Sequence, residues 1–201
     1  MTDSQGEDSR ARLAERRGVD PEVYQPAEDS GLLAEAAVDS LSAPEVVLEV
    51  GTGSGWVAEQ VHAATGARVV GSDLNPHACR QARDRGVEAV RADLLGPFAD
   101  GAFDAVLFNP PYLPTDPDNE WDDWMEHALS GGEDGRRLIG PFLQDVGRVL
   151  APGGEVYLLV SSLTGYDIVV DLAERAGFSV DEVRQESYPF EVLSILRLRP
   201  T

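Results

Sequence analysis

The chain contains no lysine, one cysteine and three scattered histidines in 201 residues. A lone cysteine, Cys79, excludes an internal disulfide framework and a thiolate metal cluster. With His62, His77 and His127 scattered along the chain, no metal site is expected. Long apolar runs are missing too, and none approaches the about 18 residues of a membrane span. The opening stretch MTDSQGEDSRARLAERRG is polar and charged, unlike the apolar segment of a secretory leader. It is expected to form a polar tail over 1–20, ahead of a single domain over 21–201, in a cytoplasmic protein. A basic stripe is also missing, which argues against direct nucleic-acid binding. Sixteen arginines oppose 36 acidic residues, giving a net charge of −20. The acid spreads along the whole chain, which suits a surface kept hydrated at high salt better than one groove for a basic partner.

What is present is alternation. Strand-like apolar runs occupy 45–50, 68–73, 87–91, 103–109 and 155–161, with two more at 178–186 and 192–198. Helical patterns lie between them. One places Val57, Val61 and Ala64 on a common face and stops at Gly66. A second takes Asn75 as N-cap, Pro76 as its first residue and Gly86 as its stop. A third stripes Leu138, Phe142, Val146 and Val149, with a regular start near Pro141. A fourth stripes Ile168, Leu172 and Ala176 before Gly177. Near-continuous apolar strands alternating with helices predict a doubly wound α/β fold on a mostly parallel seven-stranded sheet. The last two strands have no helix between them, so an antiparallel C-terminal hairpin is expected at one edge. In such a sheet the ligand lies beyond the carboxyl ends of the strands, where the strand order reverses.

The stretch LEVGTGSGW joins the first strand to its helix. Gly51, Gly53 and Gly55 permit a tight turn and close approach of a ligand, but a dinucleotide fingerprint would need glycine where Trp56 stands. Glu49 would repel a pyrophosphate and attract a cation. A nucleoside with positive charge and no phosphate fits, and S-adenosylmethionine answers that description. Asp73 ends the second strand, where a carboxylate can accept both ribose hydroxyls, although a helix N-terminal acid reads equally well there. Asp93 follows the third strand and can accept from an adenine amino group while Leu94 covers the ring. A turn-forming aspartate is the plainer reading of that one residue.

The fourth strand ends in FNPPYLP. Prolines end strands well, since they cannot donate to a ladder. Asn109 and Tyr112 call for more. The Asn109 side-chain oxygen and the Pro110 carbonyl make a pair of acceptors for the two hydrogens of a planar NH2 group, and Tyr112 offers a flat face to it. Such acceptors orient the nitrogen for in-line displacement and stabilise the charge it develops.

With these motifs the chain resembles the class I S-adenosylmethionine-dependent methyltransferases (Rossmann-like), and within them the HemK-like N5-glutamine methyltransferases of class I release factors. The likeness runs from VYQPAEDSGLL through LEVGTGSG, SDLNP, ADLL, FNPPY and GGEDGRR to EVLSILRL. It implies the short archaeal and eukaryotic branch, which lacks a large N-terminal substrate domain. It also implies cofactor contacts by Ser30, Glu49, Gly51, Asp73, Asp93, Leu94 and Asn109, with Tyr24, Glu28 and Asp29 as neighbours. The implied reaction is methylation of the side-chain amide of the GGQ glutamine. The implied partners are the release factor and a small zinc-binding activator forming a heterodimer, docked on the edge strand near 87–91. Three other readings remain: an amino-group methyltransferase of adenine or guanine, a lysine methyltransferase, and a non-catalytic cofactor-binding subunit. The segment from 113 to 130 holds Trp121 and Trp124 and is expected to be a substrate lid or a solvated linker.

Overall fold

Seven strands form one sheet: β1 (Val46–Val50), β2 (Arg68–Asp73), β3 (Glu88–Arg91), β4 (Phe103–Phe108), β5 (Leu150–Ser161), β6 (Phe178–Ser187) and β7 (Val192–Pro200). The computed structural model describes residues 22–115 and 123–201, so the expectation for residues 1–20 and the place of Trp121 lie outside the described residues. The strand order is β3-β2-β1-β4-β5-β7-β6. Strands β1 to β5 pair in parallel, and β7 runs antiparallel to both β5 and β6. The order reverses between β1 and β4, which opens a crevice at their carboxyl ends.

Alternation along the strands sends side chains to two separate cores. Val47, Val69, Ala105, Leu107, Tyr157 and Ile195 pack with helices α1 (Glu28–Ser40), α2 (Trp56–Thr65) and α3 (Pro76–Asp84). Leu48, Val50, Val106, Phe108, Leu158 and Leu196 pack with α5 (Ile139–Val149) and α6 (Tyr166–Arg175) on the other face. Phe108 meets Phe142 of α5 with ring centroids 4.5 Å apart. A short helix, α4 (Trp124–Leu129), starts where the Asp123 carboxylate accepts from the Glu126 amide at 2.7 Å, and none of its residues is buried.

The strands fall within a residue or two of expectation, except that β5 begins at Leu150. Residues 150–154 extend it through Pro152, Gly153 and Gly154, with a register shift opposite Phe103 and Ala105. Two expected helix faces are corrected. In α2 the buried face is Val57, Ala58 and Val61, and Ala64 is exposed. In α6 it is Val169 and Ala173, and Ile168 is 48% exposed. Both helices are rotated from the stripe that spacing alone suggested, because α2 must also fit against α1 and α3, and α6 against α5 and β6. Among the described residues no helix is long and apolar enough to cross a membrane.

Candidate active site

At the carboxyl ends of β1, β2 and β4 lies a cavity of about 430 Å³, within the range that encloses small-molecule ligands. Ser30, Glu49, Gly51, Gly53, Asp73, Asp93, Leu94, Asn109, Pro110 and Tyr112 line it, as do Tyr24 and Asp29, whereas Glu28 and Gly55 do not. The glycine turn between β1 and α2 uses positive φ at Gly51, Gly53 and Gly55 (67°, 53° and 80°). Gly55 serves packing: a Cβ there would lie 2.8 Å from Ala82 Cα of α3. Leu94 adopts φ 47°, a left-handed conformation that is costly for a side chain with a Cβ.

Glu49 is 4% exposed. Its Oε2 accepts from the Thr52 hydroxyl at 2.6 Å and the Ala58 amide at 3.0 Å. Burial nevertheless pushes its carboxyl up to about 8, with the Asp73 charge adding to the rise and those two bonds opposing it. Asp73 reconciles its two expected roles. Its Oδ2 accepts from the Gly53 amide at 2.9 Å and its Oδ1 from the Asn75 amide at 2.8 Å, so it braces the loop while still lining the cavity. Burial raises this carboxyl as well, against the pull of the Asn75, Gly53 and Leu74 amides.

The residue that sequence reasoning undervalued is Asp29, in the first turn of α1 and 4% exposed. Its Oδ2 accepts from Asn109 Nδ2 at 2.9 Å and from the Tyr24 hydroxyl at 3.1 Å, and its Oδ1 accepts from the Ser30 amide at 2.6 Å. A carboxylate only accepts, so the Asn109 amide is fixed with nitrogen toward Asp29 and oxygen away. That oxygen, Oδ1, is buried with no hydrogen-bond partner. Burial, then the charges of Asp29 and Glu191, hold the Tyr112 hydroxyl far above the usual phenol range. Trp124 and His127 of α4 also line the cavity, as does Arg137.

Residues 47–131 match the methyltransferase domain family. A Methanocaldococcus jannaschii protein named for N5-glutamine methyl transfer is 36% identical over 182 residues, which cover 88% of this chain and 91% of that one. Human methyltransferase HEMK2 is 31% identical over 195 residues, covering 90% and 91%. The chain belongs to the HemK-like class I methyltransferases. The same fold appears in the E. cuniculi Mtq2–Trm112 complex, described as responsible for methylation of the eRF1 translation termination factor. That match has a TM-score of 0.75 and 29% identity, over 90% of this chain and 99% of the other.

A HemK-like enzyme uses S-adenosylmethionine, which supplies a methyl group on a positively charged sulfur. The cavity suits it. Four carboxyl groups, those of Asp29, Glu49, Asp73 and Asp93, line it beside one arginine among the described residues, and a cation is favoured because it would draw Glu49 into its ionised form. The glycine turn lets a nucleoside approach the backbone.

Proposed function

We propose that this HemK-like enzyme transfers a methyl group to the side-chain amide nitrogen of the glutamine in the GGQ loop of a class I release factor. The observation that carries the reading is the orphaned Asn109 Oδ1. A buried acceptor without a donor costs about 1–3 kcal/mol. A planar side-chain NH2 would supply the missing hydrogen, while the Pro110 carbonyl takes the second one and Tyr112 covers the plane. Asp29 acts one step back, accepting from the Asn109 nitrogen and so keeping the oxygen turned away from itself as a free acceptor. The nitrogen lone pair forms the new bond to carbon, the sulfur–carbon bond breaks, and the extra proton leaves to water. Glu49, Gly51, Gly53, Asp73, Asp93, Leu94 and Ser30 form the cofactor side of the same cavity. The relatives named above for glutamine methyl transfer and for eRF1 methylation support this substrate over a nucleobase. Mass spectrometry of purified release factor after incubation with enzyme and isotope-labelled cofactor tests it. Label on the GGQ glutamine is expected, and label found only on an added adenine- or guanine-containing nucleic acid would overturn the reading.

We infer further that a small zinc-binding activator pairs with the edge strand β3, giving a heterodimer. β3 ends the sheet, and its own Val90 and the nearby Leu74, which follows β2, are exposed. The Mtq2 relative is itself a complex with Trm112. Part of the edge is already occupied, because the Arg83 guanidinium donates to the Ala89 carbonyl at 2.6 Å. A partner must displace it or pair around it. Co-expression with the activator should raise solubility and cofactor affinity, and a fully active lone chain would refute the pairing.

A further inference from the structure

The turn joining β6 to β7 carries Phe190, whose side chain is 94% exposed. Hydrogen bonds brace the turn on both sides of Phe190. Pro189 precedes it, and the Tyr188 amide donates to the Glu191 carbonyl at 2.8 Å. The Ser161 hydroxyl donates to the Glu191 carboxylate at 2.6 Å, and the Val192 amide donates to Ser162 Oγ at 3.0 Å. The residues on either side are therefore tied down, with a large aromatic ring held out in water between them. An exposed ring on a braced turn loses little conformational freedom when it is covered, which is the usual character of a binding anchor.

Its position says what covers it. The flanking residues report on the active site: the charge of Glu191 reaches the Tyr112 phenol, and those of Glu28 and Asp29 reach the Tyr188 phenol. β5 runs parallel to β4 with Leu158 beside Phe108, and its last residue, Ser161, pairs with Leu193 of β7, so the turn after β5 and the start of β7 lie at the same end of the sheet as the acceptor pair. Inside that end, buried Gly135 and Thr164 pack beneath the Tyr112 carbonyl. Thr164 belongs to the turn after β5 that also holds Leu163, 43% exposed, and leads to exposed Ile168 at the start of α6. The Ser162 hydroxyl in that turn is the group bonded to Val192. Leu163, Ile168 and Phe190 thus stand out from one hydrogen-bonded surface on the β5–β7 side of the acceptor pair. The β3 edge is at the opposite end of the sheet.

Resting on the substrate reading above, we propose that this surface, anchored by Phe190, docks the substrate polypeptide outside its reacting glutamine. The occupant is a folded protein segment presenting an apolar side chain flanked by basic residues. The apolar element answers Phe190, and the basic ones answer the carboxylates that border it at Glu186 and Glu191, the former already accepting from the Tyr188 hydroxyl. A free amino acid or small amide would have no use for an anchor outside the cavity.

Steady-state kinetics on whole release factor decide it, comparing wild type with Phe190→Ala, Phe190→Leu and Ile168→Arg. Phe190→Ala is expected to raise KM about tenfold or more while kcat changes by less than about twofold, as loss of a peripheral anchor does. Phe190→Leu should recover part of the loss, and Ile168→Arg should raise KM as well. Because these side chains are exposed, the melting temperature and cofactor Kd should stay at wild-type values. An unchanged KM for Phe190→Ala overturns the docking assignment. So does sedimentation showing a wild-type dimer that Phe190→Ala dissociates, since the patch would then join two copies of the chain. A wild type that binds cofactor but never labels release factor overturns the substrate reading, and the docking assignment falls with it.

Discussion

Glu49 should make cofactor binding release a proton. Its carboxyl is raised from an ordinary value of 4.5 to about 8, so at pH 7 about nine in ten cofactor-free molecules carry it protonated. A cation placed against it restores the ionised form, and at pH 7 binding should expel about 0.9 proton. Apparent affinity then rises about tenfold between pH 7 and pH 9 and levels off above the raised value. Glu49→Gln is a fair control, because both hydrogen bonds, from Thr52 and Ala58, fall on the single atom Oε2 and an amide oxygen can accept both. The variant should bind cofactor about tenfold or more weakly at pH 9 and lose the Glu49 share of the proton release. Titrating it also subtracts the titration of the cofactor's own amino group. Stability of the cofactor-free protein runs the other way. A carboxyl raised on folding contributes stability that is fully present below pH 4.5 and is lost as pH rises through about 8. Glu49→Gln should therefore be the more stable protein at pH 8 to 9, by on the order of a few kcal/mol. Isothermal titration in buffers of different ionisation enthalpy measures the proton, and chemical unfolding across pH measures the stability. Equal proton release by wild type and Glu49→Gln would refute the assignment of Glu49 to the cationic part of the cofactor.

Asn109→Ala is expected to bind cofactor while losing about two orders of magnitude or more in single-turnover rate, since an oriented acceptor is removed; a near-normal rate would reduce the motif to a strand end. Asp29→Ala leaves Asn109 in place but unfastened, so its rate should fall by about one order of magnitude or more while KM for release factor changes little. If Asp29→Ala proves harmless, Asp29 does not position Asn109. The melting temperature should rise with potassium chloride up to molar concentration, because the net charge of −20 repels itself at low salt. A flat or falling curve from differential scanning calorimetry would remove the high-salt reading of the acidic surface.

The sheet was legible in the sequence because β1, β2, β4 and β5 are covered on both faces and so read as apolar runs interrupted at only a few positions, such as Glu49 and Asp104. Helix α1 was not. Its buried residues run from Asp29 through Leu33, Ala36 and Ala37 around much of its circumference, so it shows no single apolar stripe, and Gly31 together with the preceding Pro26 disguises it further. Helix α4 is too short for any period to show, and it is set by the Asp123 cap. The exposure of Ile168 was misread for a related reason: spacing names a stripe, but only the neighbouring elements decide how far the helix is rotated. At the site, carboxylates at strand ends could be anticipated from position alone. The burial of Asp29 could not, because an acid in a first helical turn ordinarily faces water and complements the helix dipole.

Three energetically costly features meet in one cavity, which is a physical reason to locate the chemistry there, although Ala43, at φ 49° in the loop before β1, and Arg197 lie outside it. Two buried side-chain atoms among the described residues lack a hydrogen-bond partner. One is Arg197 Nε, on a guanidinium that already reaches Asp181 through Nη2 at 3.3 Å. The other is Asn109 Oδ1, held in its unsatisfied orientation by the bond from Asn109 Nδ2 to Asp29. Within the same cavity lie Leu94 in the left-handed region and Glu49 buried as a carboxyl. Each costs on the order of 1 kcal/mol or more. A leucine at 109, a glycine at 94 and a glutamine at 49 would each relieve one of these costs. On the function proposed above, two of these costs would be relieved together when a cationic nucleoside and a planar amide enter: the cation would favour the ionised form of Glu49, and the amide would satisfy Asn109.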